Sequence, residues 1–405
     1  MAESIIESRK YYKRNKILNI IRCNDNVSRY EIKKMTSYSM STVLDLIEEL
    51  TREGLIYEEQ CEESRVGRRP VWLHLNPHGG YFIGVEFNGR KMHSAVLDFC
   101  GKILYETESP LSFDETKEEI LAKIRDHIDR ALAQAEGGRK KVFGIGIGVP
   151  GYVDKKHGIA VSYAHLKEWK DIKIRRIIEE EYHLPCYIEN NVNVMAFAYT
   201  WLCPKEDISD FLFVSIRTGA RVIPFINSRA VLSNHGFSGE LGHVKIPGGS
   251  RMCSCGKIGC LNSEVSDISI VDKILEGIRV GRFREISEMV GGDLSKIDMD
   301  VFAKSVGMGH KDSLTLLRSC GETLGYALSM LVNIFAPQTL VLSGKLAKLG
   351  DPFLDPVRES IGRNSIEENF RTLKVMASSF SDNIGAIGAA ALVMQKKFEF
   401  IDKPI

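Results

Sequence analysis

The sequence of 405 residues has no apolar run approaching the ~20 residues that span a bilayer, and it opens on Met-Ala-Glu-Ser rather than a signal peptide. The expected setting is therefore cytoplasmic, with no membrane partner. Net charge is also nearly absent: Lys and Arg number 54 against 53 Asp and Glu, for +1 at pH 7. That total speaks neither for nor against nucleic acid. A disulfide framework is missing too, since three of the nine cysteines fall in one metal-type cluster, a usage that fits a reducing compartment. What remains is an ordinary globular composition, 44% hydrophobic and 26% charged, in a chain long enough for two or three domains.

The densest chemistry lies between Gly239 and Cys260. The run reads Gly-Glu-Leu-Gly-His, nine residues, then Cys-Ser-Cys-Gly-Lys-Ile-Gly-Cys. His243, Cys253, Cys255 and Cys260 put one imidazole and three thiolates within 18 residues. That is a complete tetrahedral set for zinc, which takes nitrogen and sulfur ligands. Gly256 and Gly259 let the backbone turn tightly enough for the donors to converge. Buried free cysteines are the plain alternative, but they give no reason for a histidine and glycines at this spacing. Four protein ligands leave no place for a catalytic water, so the expected ion is structural and pins the loop that carries Glu240.

The amino-terminal end carries the charge asymmetry that the total hides. Residues 1–34 hold nine Lys and Arg against four acids, a local excess of five. Residues 13–22 alternate charge with Ile17, Leu18, Ile20 and Ile21, an amphipathic helix. Ser28 and Glu31 form a capping box for a second short helix through Met35. Ser39-Met40-Ser41-Thr42-Val43, then Leu46, Ile47 and Leu50, predict a third helix ending at Gly54. Two short strands follow, Leu55–Tyr57 and Val71–Leu75, joined by a loop with Gly67-Arg68-Arg69-Pro70. Three helices and a hairpin make a winged helix-turn-helix. Its third helix can enter a major groove with Ser39, Ser41, Thr42 and Asp45 outermost, while Arg29 and Lys33 add basic contacts and Arg68 and Arg69 reach a phosphate or minor groove. Three-helix units also serve as protein-docking modules; the basic helices and the Arg-Arg tip favour double-stranded DNA.

Residues 76–80 form a linker, after which strands Tyr81–Phe87 and His93–Asp98, a helix over 115–136 and the glycine-rich strand Val142–Val149 make one strand-and-helix cycle. A second cycle starts at Phe211–Ile216, with helices near 267–279 and 312–335 and a strand at 339–344. The Gly/Ala-rich stretch from Gly385 to Leu392 suits a close-packed final helix.

Glu-x-x-His followed by Cys-x-Cys-Gly-x-x-Gly-Cys, and the Gly-Arg-Arg-Pro wing leading to Leu-Asn-Pro, resemble the ROK family of bacterial sugar kinases and sugar-responsive repressors. The resemblance implies an α/β fold with an N-terminal winged helix and a two-lobed ribonuclease-H-like (actin-type) ROK domain. It divides the chain into 1–76, the DNA-binding domain; 81–198, the first lobe, to which a C-terminal helix at 385–398 returns; and 199–384, the second lobe with the zinc loop. Repressors of the family usually offer Lys or Arg near the positions of Met40 and Asp45, so operator sequence does not carry over.

ROK kinases hold ATP phosphates on two turns, Asp-x-Gly-Gly-Thr and Gly-Thr-Gly-x-Gly. Here those positions read Glu86-Phe87-Asn88-Gly89-Arg90 and Arg217-Thr218-Gly219-Ala220-Arg221. Arg217 and Arg221 could bind an anion; filling the cleft or pairing with carboxylates is the alternative. The family's Asn-Asp, whose aspartate is the general base, is Asn190-Asn191 here, and an amide cannot accept the sugar's proton. No kinase activity is expected.

The family's sugar contacts fall on Asn190, Asn191, Glu240, His243 and Asn262, the last a glutamate in relatives, with the Pro150-Gly151 loop at the sugar's edge. Asn190 and Asn191 could instead be a turn or helix cap. His243 would give one ring nitrogen to zinc and the other to the ligand. The expected protein is a sugar-responsive repressor of carbohydrate-use genes, a homodimer or dimer of dimers on a two-fold operator, its effector in the cleft of a catalytically dead domain. A sugar kinase, or a regulator controlled by a protein partner, are the alternatives.

Overall fold

The computed structural model describes residues 2–24, 26–60, 71–163, 165–202, 210–227, 229–232, 238–379 and 383–398. Three helices open the chain: α1 (Ala2–Cys23), α2 (Arg29–Thr36) and α3 (Met40–Arg52). The capping box at α2 forms as expected, with Glu31 N donating to Ser28 Oγ and Ser28 N to Glu31 Oε2. Ser37, at φ 59°, ends α2 in the left-handed conformation, and its N–H donates to the Lys33 carbonyl. Ser39 then caps α3 through the Thr42 N–H. Val43, Leu46, Ile47 and Leu50 are buried together on one face of α3, which leaves the opposite face to solvent.

Strands β1 (Ile56–Gln60) and β2 (Val71–Leu75) pair antiparallel, from Ile56 opposite Leu75 to Gln60 opposite Val71. Arg68 and Arg69, expected at the tip between them, lie outside the described residues. Asn76 ties the linker down on both sides: Nδ2 donates to Gly54 O, and Oδ1 accepts from His78 N, opening the single turn Pro77–Gly79.

The chain divides into two compact units, Met1–Glu206 with Asn383–Ile405, and Asp207–Asp382. In the first unit, β3 (Tyr81–Phe87), β4 (Lys91–Asp98), β5 (Ile103–Pro110), α4 (Lys117–Gln134), β6 (Val142–Val149), β7 (Tyr152–Asp154), β8 (Ile159–Tyr163), β9 (Leu166–Ile172), α5 (Ile174–Tyr182), β10 (Cys186–Asn190) and α6 (Asn191–Leu202) follow in order. The main sheet runs β10-β6-β3-β4-β5, antiparallel on the β3-β4-β5 side and parallel from β3 through β6 to β10. A small sheet β7-β8-β9 lies beside it in sequence.

The second unit repeats the arrangement with β11 (Phe211–Ile216), β12 (Ala220–Ile226), β13 (Arg229–Ala230), then α7 (Asn262–Val265), α8 (Asp267–Arg279), α9 (Arg284–Met289), α10 (Met299–Gly307), α11 (Lys311–Phe335), β14 (Thr339–Ser343), α12 (Asp351–Asn364), α13 (Glu367–Arg371) and β15 (Lys374–Ala377). Its sheet order is β13-β12-β11-β14-β15, again with the first strand central, an antiparallel hairpin to one side and parallel strands to the other. This duplicated strand order is the ribonuclease-H-like, actin-type pattern.

The last helix, α14 (Ile384–Phe398), belongs to the first unit and packs on its main sheet. The approach is close enough that a Cβ on Gly84 would sit 1.9 Å from Ala386 O, and one on Gly146 1.8 Å from Ala389 O. Glycine in the strands and Gly/Ala in the helix are thus two halves of one packing requirement. No helix among the described residues is long and apolar enough to cross a membrane.

Candidate functional site

The cysteine-rich loop brings its four expected donors together. The ligand atoms of His243, Cys253, Cys255 and Cys260 all lie within 4.8 Å of one another. Cys255 Sγ is 3.7 Å from Cys260 Sγ, and Cys253 Sγ is 3.7 Å from His243 Nδ1. Zn–S bonds of about 2.3 Å at tetrahedral angles give S···S edges of about 3.8 Å, whereas a disulfide would draw the sulfurs to about 2.05 Å. The cluster therefore has the spacing of a metal-binding tetrahedron. The Lys257 N–H, first among its neighbours, brings the Cys255 thiol down to about 7, so a thiolate is accessible near neutrality. Burial pushes Cys260 up to about 11, a cost that a dication at the centre of the cluster reverses. Gly256 (φ 80°) and Gly259 (φ 77°) occupy the left-handed conformation, and Gly249 and Gly259 touch backbone to backbone.

The same loop fixes Glu240. One short turn, Leu241–His243, separates it from the cluster, and His243 turns Nδ1 to Cys253 while Nε2 lies 4.0 Å from Glu240 Oε2. Arg221 Nε stands 3.2 Å from Glu240 Oε1, and Arg221 Nη2 donates to Ser238 O at 2.7 Å. Of the two readings open for Arg221, it takes the carboxylate pairing.

Asn262 has a backbone partner that its motif position does not announce. Its Oδ1 accepts from Ala220 N at 2.7 Å, in the second glycine turn. Gly242 is pressed so close that a Cβ there would meet Asn262 Oδ1 at 1.8 Å. The residue thus ties that turn to the loop of Glu240. The first turn is occupied in the same way. Asn88 Oδ1 accepts from Arg90 N at 2.8 Å and from Lys91 N at 3.0 Å, and Phe113 fills the space above Gly89. Phe87 is fully buried, edge-on to Trp169 at 5.1 Å. One backbone N–H in each turn, that of Arg90 and that of Ala220, is therefore already taken by a side-chain amide oxygen instead of being open to a phosphate. Sequence reading noticed the missing glycines but not that asparagines had replaced the anion as acceptors. The signal was there in Asn88 two residues before Arg90, an Asx-turn spacing.

In the first unit, Asn190 and the Pro150-Gly151 loop meet: Asn190 Nδ2 donates to Gly151 O at 2.8 Å, and its Oδ1 accepts from Val192 N at the start of α6. The cap reading of Asn190 is thus realised alongside the loop contact. Asn191 is buried and donates to Glu86 Oε1 at 3.2 Å and Phe87 O at 3.4 Å. Glu189, also buried, accepts from Asn193 Nδ2 and pairs with Lys155 at 3.0 Å.

At the amino-terminal end, Ser39 Oγ lies 3.0 Å from Ser41 Oγ and 2.8 Å from Thr42 Oγ1, so the three hydroxyls form a chain at the start of α3. Ser41 and Asp45 are exposed one turn apart. Met40 and Leu44 are exposed beside them, at 38% and 42%. Leu44 was missed by the sequence reading, although its spacing of four from Met40 marks the same face; an apolar side chain there can meet a thymine methyl. Lys33 is exposed, whereas Arg29 is half-buried and paired with Glu58 on β1.

Comparison with known proteins agrees with this geometry. The profile of the ROK family matches residues 82–396. A xylose repressor of Caldicellulosiruptor bescii is 30% identical over 385 residues, 95% of this chain and 96% of its own. The crystal structure of a ROK family transcriptional regulator, a homologue of the E. coli MLC protein, superposes with TM-score 0.81 at 22% identity over 96% of this chain and 97% of its own. A ROK family glucokinase from Streptomyces griseus, in complex with glucose and AMPPNP, gives TM-score 0.67 at 25% identity, covering 78% of this chain and 100% of its own.

Proposed function

The chain belongs to the ROK family, and from that premise we propose that it is a sugar-responsive transcriptional repressor of carbohydrate-use genes rather than a kinase. One observation supports the choice between the two: Asn88 and Asn262 each take a backbone N–H of a phosphate turn, which weakens the cradle a nucleotide would need. Asn191 cannot act as base in its place. The winged helix supplies the second half of the reading, with Ser39, Ser41, Thr42, Leu44 and Asp45 on the face of α3 open to a major groove. Arg29, Lys33, Arg68 and Arg69 are the proposed backbone contacts. One α3 covers one half-site, so a homodimer on a two-fold operator is the expected assembly. The expected location is the cytoplasm.

In this reading the metal is zinc, held by His243, Cys253, Cys255 and Cys260, and its role is to hold the Glu240 turn in place. The effector is a sugar. Its proposed contacts are Pro150, Gly151, Asn190 and Asn191 in the first unit, and Glu240, His243 and Asn262 in the second.

The test couples two assays on the purified protein. DNA from upstream of its own gene should bind by fluorescence anisotropy, and one of a panel of pentoses and hexoses should change that affinity. Glu240→Ala should keep DNA affinity and lose the sugar response. ADP release with the same sugars, above the level of an Asn191→Ala control, would overturn the proposal.

A further inference from the structure

A cavity of about 670 Å³ opens inside the first unit where the helices of the winged helix meet the first lobe. Nothing in the repressor reading uses it. Its floor is apolar: Leu55 and Phe398 are buried, and Phe143 is half-buried. Lys140, Lys141 and Lys397 line its lobe side and are all exposed. Among the described residues none of the three has a carboxylate within ion-pair distance. Lys141 Nζ reaches only the His78 carbonyl, at 3.2 Å, and Lys397 Nζ stands 6.0 Å over the Phe143 ring.

The opposite wall is built differently. There Lys10 pairs with Glu49 at 2.6 Å and Arg14 pairs with Glu53, so the two α1 cations that line this wall are neutralised by α3 and its C-cap residue. Among the described residues, the mouth of the cavity thus carries three lysines without a carboxylate partner, all on the lobe side. Three ammonium groups around one hollow repel one another, and a dianion between them removes that cost. The volume lies within the usual range of small-molecule sites, and an aromatic and aliphatic floor with a few convergent charges is their usual lining.

We propose that this cavity binds a small organic monophosphate, its phosphate on Lys140, Lys141 and Lys397 and its ring on the Phe143–Leu55–Phe398 floor. A sugar phosphate and a nucleoside monophosphate share that chemistry. The site is separate from the effector residues proposed above. Because the far wall consists of the ion pairs that join α1 to α3, occupancy bears on the helix that faces DNA.

Calorimetric titration of the full-length, DNA-free protein with glucose 6-phosphate, AMP and inorganic phosphate tests this. One of the two organic phosphates should bind, more tightly than inorganic phosphate, and which one identifies the source. Lys140→Gln/Lys141→Gln should weaken it about tenfold or more, about 1.4 kcal/mol, and so should Lys397→Gln alone. All three lysines are exposed, so these variants should keep the wild-type melting temperature. Glu240→Ala should leave the titration unchanged. The proposal falls if neither organic phosphate binds, if the lysine variants bind as wild type, or if Glu240→Ala abolishes the signal. It falls equally if inorganic phosphate binds as tightly as the organic ones, or if the lysine variants lose only DNA affinity.

Discussion

Replacing Cys253 by serine should unlock the loop from Val244 to Gly259. Ordering those 16 residues costs about 16 kcal/mol, taking about 1 kcal/mol per residue. Little in the protein itself offsets this. Val244, Met252 and Ile258 remain 38%, 66% and 54% exposed, and of the aliphatic side chains only Ile246 is buried, for about 2 kcal/mol. Five backbone hydrogen bonds are donated within the loop, by Ile246, Gly249, Cys253, Gly256 and Gly259, contributing about 1 kcal/mol each. About 9 kcal/mol remains, close to the lower end of the range of about 10–16 kcal/mol for structural zinc. Losing one of four ligands removes about a quarter of that, some 2–3 kcal/mol, or roughly a hundredfold in metal affinity.

Two assays read the outcome. Competition with a chromophoric chelator should show the variant surrendering its ion at about a hundredth of the chelator concentration the wild type requires. Trypsin should then cut at Lys245 and Lys257, both exposed on this loop, while Leu261 and Val265 keep the rest of the second unit folded. A variant that keeps one equivalent of metal, or a chelated wild type that resists trypsin as before, would refute the assignment.

Asn191→Asp, which restores the family's base, should still give no ADP release in a coupled assay, because Asn88 and Asn262 continue to hold the phosphate turns; turnover would show that the base alone was missing. Arg68→Ala and Arg69→Ala should weaken binding to all DNA sequences and lower the slope of log K against log salt by about 1 each, and an unchanged slope would remove the wing from the interface. His127 is fully buried between Ser94 and Ser109 hydroxyls, and burial depresses its pKa below the usual 6.5. The unfolded chain then takes up the proton first, so stability should be constant above pH 6.5 and decline as pH falls below it. Thermal melts from pH 8 to 5 check this, and a His127→Gln protein with the same pH slope would assign the decline elsewhere.

Local signals were the readable ones. The capping box at Ser28 and Glu31 and the helix over Asp267–Arg279 depend on neighbours within four residues, and the structure reproduces them. The His243, Cys253, Cys255 and Cys260 cluster was legible because the ligand types and spacings that suit a metal are so restricted. The extents of α1 and α4 were less so: α1 begins well before residue 13, and α4 runs Lys117–Gln134 rather than 115–136, since ends fray and packing decides them. The partner of Asn262 was not legible, because only the fold brings Ala220, 42 residues away, to its side chain.

By itself, the sequence marked the strongly patterned elements and the four candidate metal donors, because each is written in residue type and short-range spacing, while the missing aspartate at Asn191 is visible only against the family resemblance. The tertiary structure alone decided where the hydrogen-bonding capacity of those residues goes. It set Asn88 and Asn262 against backbone N–H groups, Arg221 against Glu240, and Arg29 against Glu58. It also gathered Lys140, Lys141 and Lys397 around one hollow from two distant stretches of chain. A donor or a charge has no fixed partner in sequence; burial and chain crossing assign one.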